Sequence, residues 1–179
     1  MSPNNSSLSP FLQQAQDAID SATRGMTDEQ MNWHPEGKWS AVQLVEHLAL
    51  SYSRSAIGMK KSISENPEKL RRATVKERVG KLLLFGFSYI PPGRKSPEAI
   101  HPKGMNVGDA LATARRSLSL VDHTLNECED RLGSGTPLYT HPVLGPLTAT
   151  QWRRFHLVHT LHHTRQIDRW RRMMAAEKI

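Results

Sequence analysis

The chain has 179 residues, enough for one domain with a core of its own. Hydrophobic residues make up 37%, charged residues 23% and aromatics 6%, a soluble and rather polar globular composition. A single cysteine, Cys128, excludes an internal disulfide, and a net charge of +7 admits anionic partners without specifying one.

Residues 1–8, rich in Ser, Asn and Pro, read as a disordered tail, and residues 9–179 as a single helical domain. The first residues carry neither a positive n-region nor an apolar h-region, so no signal peptide is predicted and the cytoplasm is the expected location. Ser9-Pro10 then gives an N-cap followed by Pro at the first helical position. Phe11, Ala15, Ile19 and Ala22 follow at helical spacing, and Gly25 ends the helix.

Thr27-Asp28-Glu29-Gln30 has the capping-box spacing and predicts one short turn. A loop, NWHPEGKW, precedes a second capping box at Ser40-Ala41-Val42-Gln43. This one opens a long helix whose apolar stripe runs through Leu44, Val45, Leu48, Tyr52, Ala56 and Met59. Residues 67–106 read as an extended insertion between core helices. Within it, TVKERVGKLLLFGFSYI predicts a helix with its apolar side on Val75, Val79, Leu82 and Leu83, weakened by Gly80 and Gly86. The apolar run from Leu82 to Ile90 is too short to span a bilayer, and no membrane partner is expected.

Asn106 caps the next helix, with Leu111, Ala114, Leu118, Val121, Leu125 and Leu132 on one face and Gly133 just past its end. GSGTPLYTHPVLGP reads as a loop. Thr148-Ala149-Thr150-Gln151 is a further capping box, and the last helix runs to about Ala176. No strand is predicted. Four main helices around a decorated middle make the expected fold class all-α, a four-helix bundle with an extended insertion between its second and third helices.

The last helix carries four of the nine histidines within eight positions: His156, His159, His162 and His163. At about 100° per residue, His156, His159 and His163 fall within about 60° of one another. Trp152 extends that stripe back, and Ile167 and Trp170 extend it forward, so the imidazoles are predicted to face the core. His162 lies about a quarter-turn off that axis. Buried imidazoles must pair their nitrogens or suffer a desolvation penalty of a few kcal/mol, roughly. A divalent metal would satisfy them, and the i, i+4 spacing of His159 and His163 suits shared coordination. Position 160 is Thr, so the pair lacks the glutamate base of an HExxH protease. His47 is the best candidate for a third ligand from another helix. Its neighbour Glu46 is expected to be solvated, as is His123. His34, His101 and His141 fall in loops.

Two segments resemble the DinB/YfiT-like metalloenzyme superfamily. KWSAVQLVEHLALS resembles the segment that opens the family's second helix, and HPVLGPLTATQWRRFHLVHTLHHTRQI resembles its last-helix signature. The resemblance implies an up-down-down-up bundle and a divalent metal, zinc or nickel, held by His47, His159 and His163. It implies a positioning or packing role for Gln166. His156 could line the pocket or hydrogen-bond a ligand, and His162 could serve in packing or as a surface contact.

Similar proteins use such a site as thiol-dependent S-transferases and isomerases, so a low-molecular-weight thiol cosubstrate is one expectation. A metal-dependent transferase, isomerase or hydrolase acting on a small molecule is the favoured reading. No catalytic acid or base stands out. The basic residues Arg94, Lys95 and Lys103 are candidates to hold a substrate carboxylate at the rim. The alternative is a non-catalytic metal-binding stress or interaction protein. Nucleic-acid binding is disfavoured, because the cations are spread along the chain without a recognised motif. A homodimer is left open.

Overall fold

The computed structural model describes residues 8–64, 73–87, 90 and 96–177. Residues 1–7 of the expected tail lie outside them. Leu8 is described, and it packs against the core instead of belonging to a free tail. In chain order the elements are α1 (Pro10–Thr23), α2 (Asp28–Asn32), α3 (Ala41–Ser64), α4 (Val75–Phe87), a single 3-10 turn (Glu98–Ile100), α5 (Val107–Leu132), β1 (Tyr139–His141), β2 (Gly145–Leu147) and α6 (Ala149–Glu177).

Of the predicted caps, Ser9 makes no side-chain cap hydrogen bond, and the others form as hydrogen bonds. Thr27 and Gln30 close a reciprocal box, as do Ser40 with Gln43 and Thr148 with Gln151. Asn106 Oδ1 accepts from the Asp109 amide. Each satisfies amides that the first helical turn leaves without intrahelical partners.

Side-chain contacts fix the helix directions. The C-terminal turn of α1 meets that of α6 where Arg171 reaches the Ala22 carbonyl, so these two run parallel. Ser53 bonds Ser117 midway along α3 and α5, and the N-terminal half of α3 meets the residues that lead into α5. Hence α3 and α5 also run parallel. Asp122 and Glu129 of α5 reach back to Arg153 near the start of α6, which is antiparallel. The four-helix bundle is therefore up-down-down-up in α1, α3, α5 and α6. The long connection between α3 and α5 is required by geometry, because parallel neighbours cannot be joined by a short turn. The predicted stripe of α3 is fully buried, with Val45, Leu48, Tyr52, Ala56 and Met59 all at 0% exposure. No described helix is long and apolar enough to cross a membrane.

A further sequence expectation fails here. The loop before α6 contains a two-stranded antiparallel hairpin, with Tyr139 opposite Leu147 and His141 opposite Gly145. Three-residue strands give too little alternation to be read from sequence. Gly145 is required at this turn, because its φ is +71° and a Cβ there would lie 2.6 Å from the Glu77 carboxylate. The predicted helix α4 forms, and its apolar side is turned outward, with Val75, Val79, Leu82 and Leu83 at 77%, 52%, 64% and 37% exposure. Among its described side chains, Glu77 and Leu84 are buried. Glu77 accepts from the Thr74 amide in a capping box, and Lys81 donates to the Pro146 carbonyl, so polar anchors seat this helix.

A buried ion network joins α1, α5 and α6. Arg153 donates to Asp122, Glu129 and Asn126, and the other Asp122 oxygen accepts from the Ser9 amide at 2.8 Å. Asp122→Ala removes one partner from a buried guanidinium and one from the α1 cap. The expected loss is about 3 kcal/mol in urea unfolding, and a loss below about 1 kcal/mol contradicts a buried role for this network.

Candidate metal centre

The α6 face behaves as the periodicity predicts. Trp152, His156, His163, Ile167 and Trp170 are all buried, and His159 is half-buried. His47 stands two turns into α3, at 2% exposure, and faces α6. One ligating nitrogen from each of His47, His159 and His163 lies within 4.8 Å of the other two. His47 Nε2 is 3.2 Å from His159 Nε2, and His163 Nε2 is 3.0 Å from the same atom. Two imidazoles on one tetrahedral ion at about 2.0 Å would stand about 3.3 Å apart, so the spacing fits.

The surrounding hydrogen bonds decide where the lone pairs point. His47 Nδ1–H donates to the Ile100 carbonyl at 2.8 Å. His163 Nδ1–H donates to Gln166 Oε1 at 2.9 Å, while Gln166 Nε2 reaches His162 Nε2 at 3.4 Å. With Nδ1 protonated on both, the Nε2 atoms of His47 and His163 present bare lone pairs to each other and to His159. One proton on His159 could satisfy only one of them. A cation would satisfy all three, and the chemistry of the donor set therefore fits a divalent metal.

The imidazoles are also held neutral, as ligation requires. Burial, followed by the neighbouring His47, pushes His163 down to about 3. Burial, followed by His163, holds His159 well below its ordinary value. His47 is lowered by burial, against the raising effect of its bond to Ile100.

Glu46 corrects a sequence expectation. It is not solvated but 1% exposed, on the opposite side of α3 from the apolar stripe. Its carboxylate accepts three backbone N–H groups, from Lys103 at 2.6 Å, Gly104 at 3.1 Å and Met105 at 3.0 Å. The positive φ of Gly104, +93°, helps these amides to converge. The loop so anchored also supplies the Ile100 carbonyl that orients His47. The available signal was a Lys-Gly-Met segment just before a capped helix, which is too common to identify a carboxylate receptor. Trp39 was also missed. Its ring lies 5.0 Å from that of His47 and 5.6 Å from that of His101.

The remaining predicted residues divide. Gln166 bonds the candidate ligand His163 directly, and His162 packs edge-on against His163 with centroids 5.0 Å apart. His156 hydrogen-bonds none of the three candidate ligands. It is fully buried among Tyr52, Trp152 and Phe155, with no partner for either ring nitrogen, and burial lowers it to about 3. His123 is exposed, as expected. The rim candidates Arg94 and Lys95 lie outside the described residues, whereas Lys103 is exposed on the loop beside His47.

A family model described as the DinB superfamily matches residues 12–167, a span that contains all three histidines and Gln166. The chain belongs to the DinB superfamily. Its fold is similar to a solved structure described as "YfiT from Bacillus subtilis is a probable metal-dependent hydrolase with an unusual four-helix bundle topology". The TM-score is 0.60 at 20% identity, over 98% of this chain and 94% of that one. At that identity the likeness establishes the fold. No curated protein matches the chain. This DinB-superfamily chain thus combines the bundle with a three-histidine cluster that fits a divalent metal.

If Glu46 sets the orientation of His47 through the 98–105 loop, Glu46→Ala lowers affinity for Zn²⁺ or Ni²⁺ by about 10–100-fold. Competition against a chromophoric chelator measures this, with circular dichroism confirming the retained bundle. Unchanged affinity contradicts the positioning role.

Proposed function

We propose that this protein is a metal-dependent enzyme that activates a thiol or water at His47, His159 and His163 for transfer, isomerisation or hydrolysis of a small molecule. The observation that carries the reading is the convergence of three imidazoles, with the Nε2 lone pairs of His47 and His163 both aimed at His159 Nε2. No fourth His, Cys, Asp or Glu joins that cluster among the described residues. Structural zinc sites are closed by four protein ligands, whereas catalytic ones keep a position open. A divalent ion there, zinc or nickel by donor type, would acidify a thiol or water and supply a nucleophile near neutral pH.

The chain's own residues supply the rest. Ile100 and Gln166 hold two imidazoles in the tautomer that keeps Nε2 free. Trp39 and Phe155 line the histidines with aromatic rings, Phe155 stacking on His159 at 5.4 Å, and this restricts water. Thr160 stands where an HExxH protease carries its glutamate, and its hydroxyl is engaged with Tyr52. A peptidase mechanism with a base at that position is therefore disfavoured. A low-molecular-weight thiol as cosubstrate fits a site with a metal but no such base, since a thiol loses its proton more readily than water does.

The test is turnover by protein reconstituted with Zn²⁺ or Ni²⁺ and assayed for thiol conjugation, thiol-dependent isomerisation and ester or amide hydrolysis. Wild type is expected to turn over in at least one assay, and His159→Ala to lose it by about a thousandfold while keeping its helical spectrum. Metal-loaded protein inactive across these chemistries would favour the non-catalytic metal-binding alternative.

A further inference from the structure

The outward stripe of α4 has no role in the metal centre. Val75, Val79, Leu82 and Leu83 span about 100° of that helix, with Arg78 on one flank and Lys76 on the other, both exposed. Glu77 and Leu84, on the opposite face, are buried. An aliphatic stripe bordered by cations is the pattern of a helix that lies in a lipid–water interface.

The charge distribution points the same way. Residues 69–95 contain eight Lys or Arg, at positions 69, 71, 72, 76, 78, 81, 94 and 95, and one acid, Glu77. The whole chain has 24 basic and 17 acidic residues, so the remainder holds 16 of each. The cations are spread along the chain, but the net charge of +7 resides entirely in the segment that carries α4.

We propose that α4 docks this protein peripherally on an anionic phospholipid bilayer. Its four aliphatic side chains would enter the headgroup boundary, and the flanking cations would meet lipid phosphates. This goes beyond the expectation of no membrane partner, which considered only spanning segments. A second copy fits the face less well. Two copies meeting through α4 would bring the exposed Lys76 and Arg78 of each together, and four side chains on a 13-residue helix fall well short of the roughly 20–30 residues a side of a stable dimer. Nucleic acid would use the cations and leave the aliphatic stripe exposed.

The experiment is co-sedimentation of the full chain with phosphatidylcholine vesicles, with and without about one third phosphatidylglycerol. Binding to the anionic vesicles is expected to exceed that to neutral ones by about tenfold and to weaken as salt is raised. The doubly substituted Val79→Ser, Leu82→Ser protein is expected to lose most of it with unchanged circular dichroism, since both side chains are exposed. Lys76→Gln with Arg78→Gln should weaken it separately. Absence of binding to anionic vesicles at low salt overturns the proposal. So does equal binding by the serine variant, which would leave charge alone as the cause. A dimer in sedimentation velocity that the serine variant dissolves overturns it as well, and assigns the face to a second copy.

Discussion

The candidate site depends on two hydrogen bonds that never touch the metal position. The His47 Nδ1–H is held by the Ile100 carbonyl, and the His163 Nδ1–H by Gln166. Without them each imidazole could turn or change tautomer and present N–H to its neighbours. With them, two lone pairs converge on His159 at 3.2 and 3.0 Å in a place that water reaches poorly. Such a cluster is electrostatically incomplete, and a divalent cation would complete it.

That constraint explains why the connection between α3 and α5 is more than a tether. Parallel helices require a long crossover, and its last residues lie over α3 beside the site. Glu46 gathers three amides there, which fixes the loop that carries Ile100. The same crossover carries α4, which is seated by polar anchors and leaves its apolar side outward. One stretch of chain thus orients His47 at one end and presents a basic, aliphatic helix at the other.

Much of this was legible in the sequence, for physical reasons that differ by element. The bundle helices are long and strongly periodic, and their caps are local, so their positions follow from residues a few places apart. His159 and His163 were legible because a helix fixes what lies four residues along. His47 needed a long-range pairing: its place two turns into a capped helix made it the best candidate, and the motif resemblance pointed to the same residue. Glu46 was misread because its partners are backbone amides 57 to 59 residues away, and amides leave no mark in composition. The apolar side of α4 was legible but its orientation was not, because periodicity reports an apolar side without saying what it faces. Glu77 and Lys81 bind the protein with polar atoms, and so the apolar side is turned outward. The hairpin before α6 was too short to show alternation.

The central claim is that three imidazoles, and no other protein groups, hold one divalent ion. X-ray absorption at the metal edge of tag-free protein loaded with one equivalent of Zn²⁺ tests it most directly, with the metal content checked by mass spectrometry. The account predicts one ion per chain, outer-shell scattering from three imidazoles, and a remaining light-atom ligand that exchanges with added thiol. Protein that takes up no stoichiometric zinc, or a spectrum with four protein ligands and no exchangeable position, would contradict it.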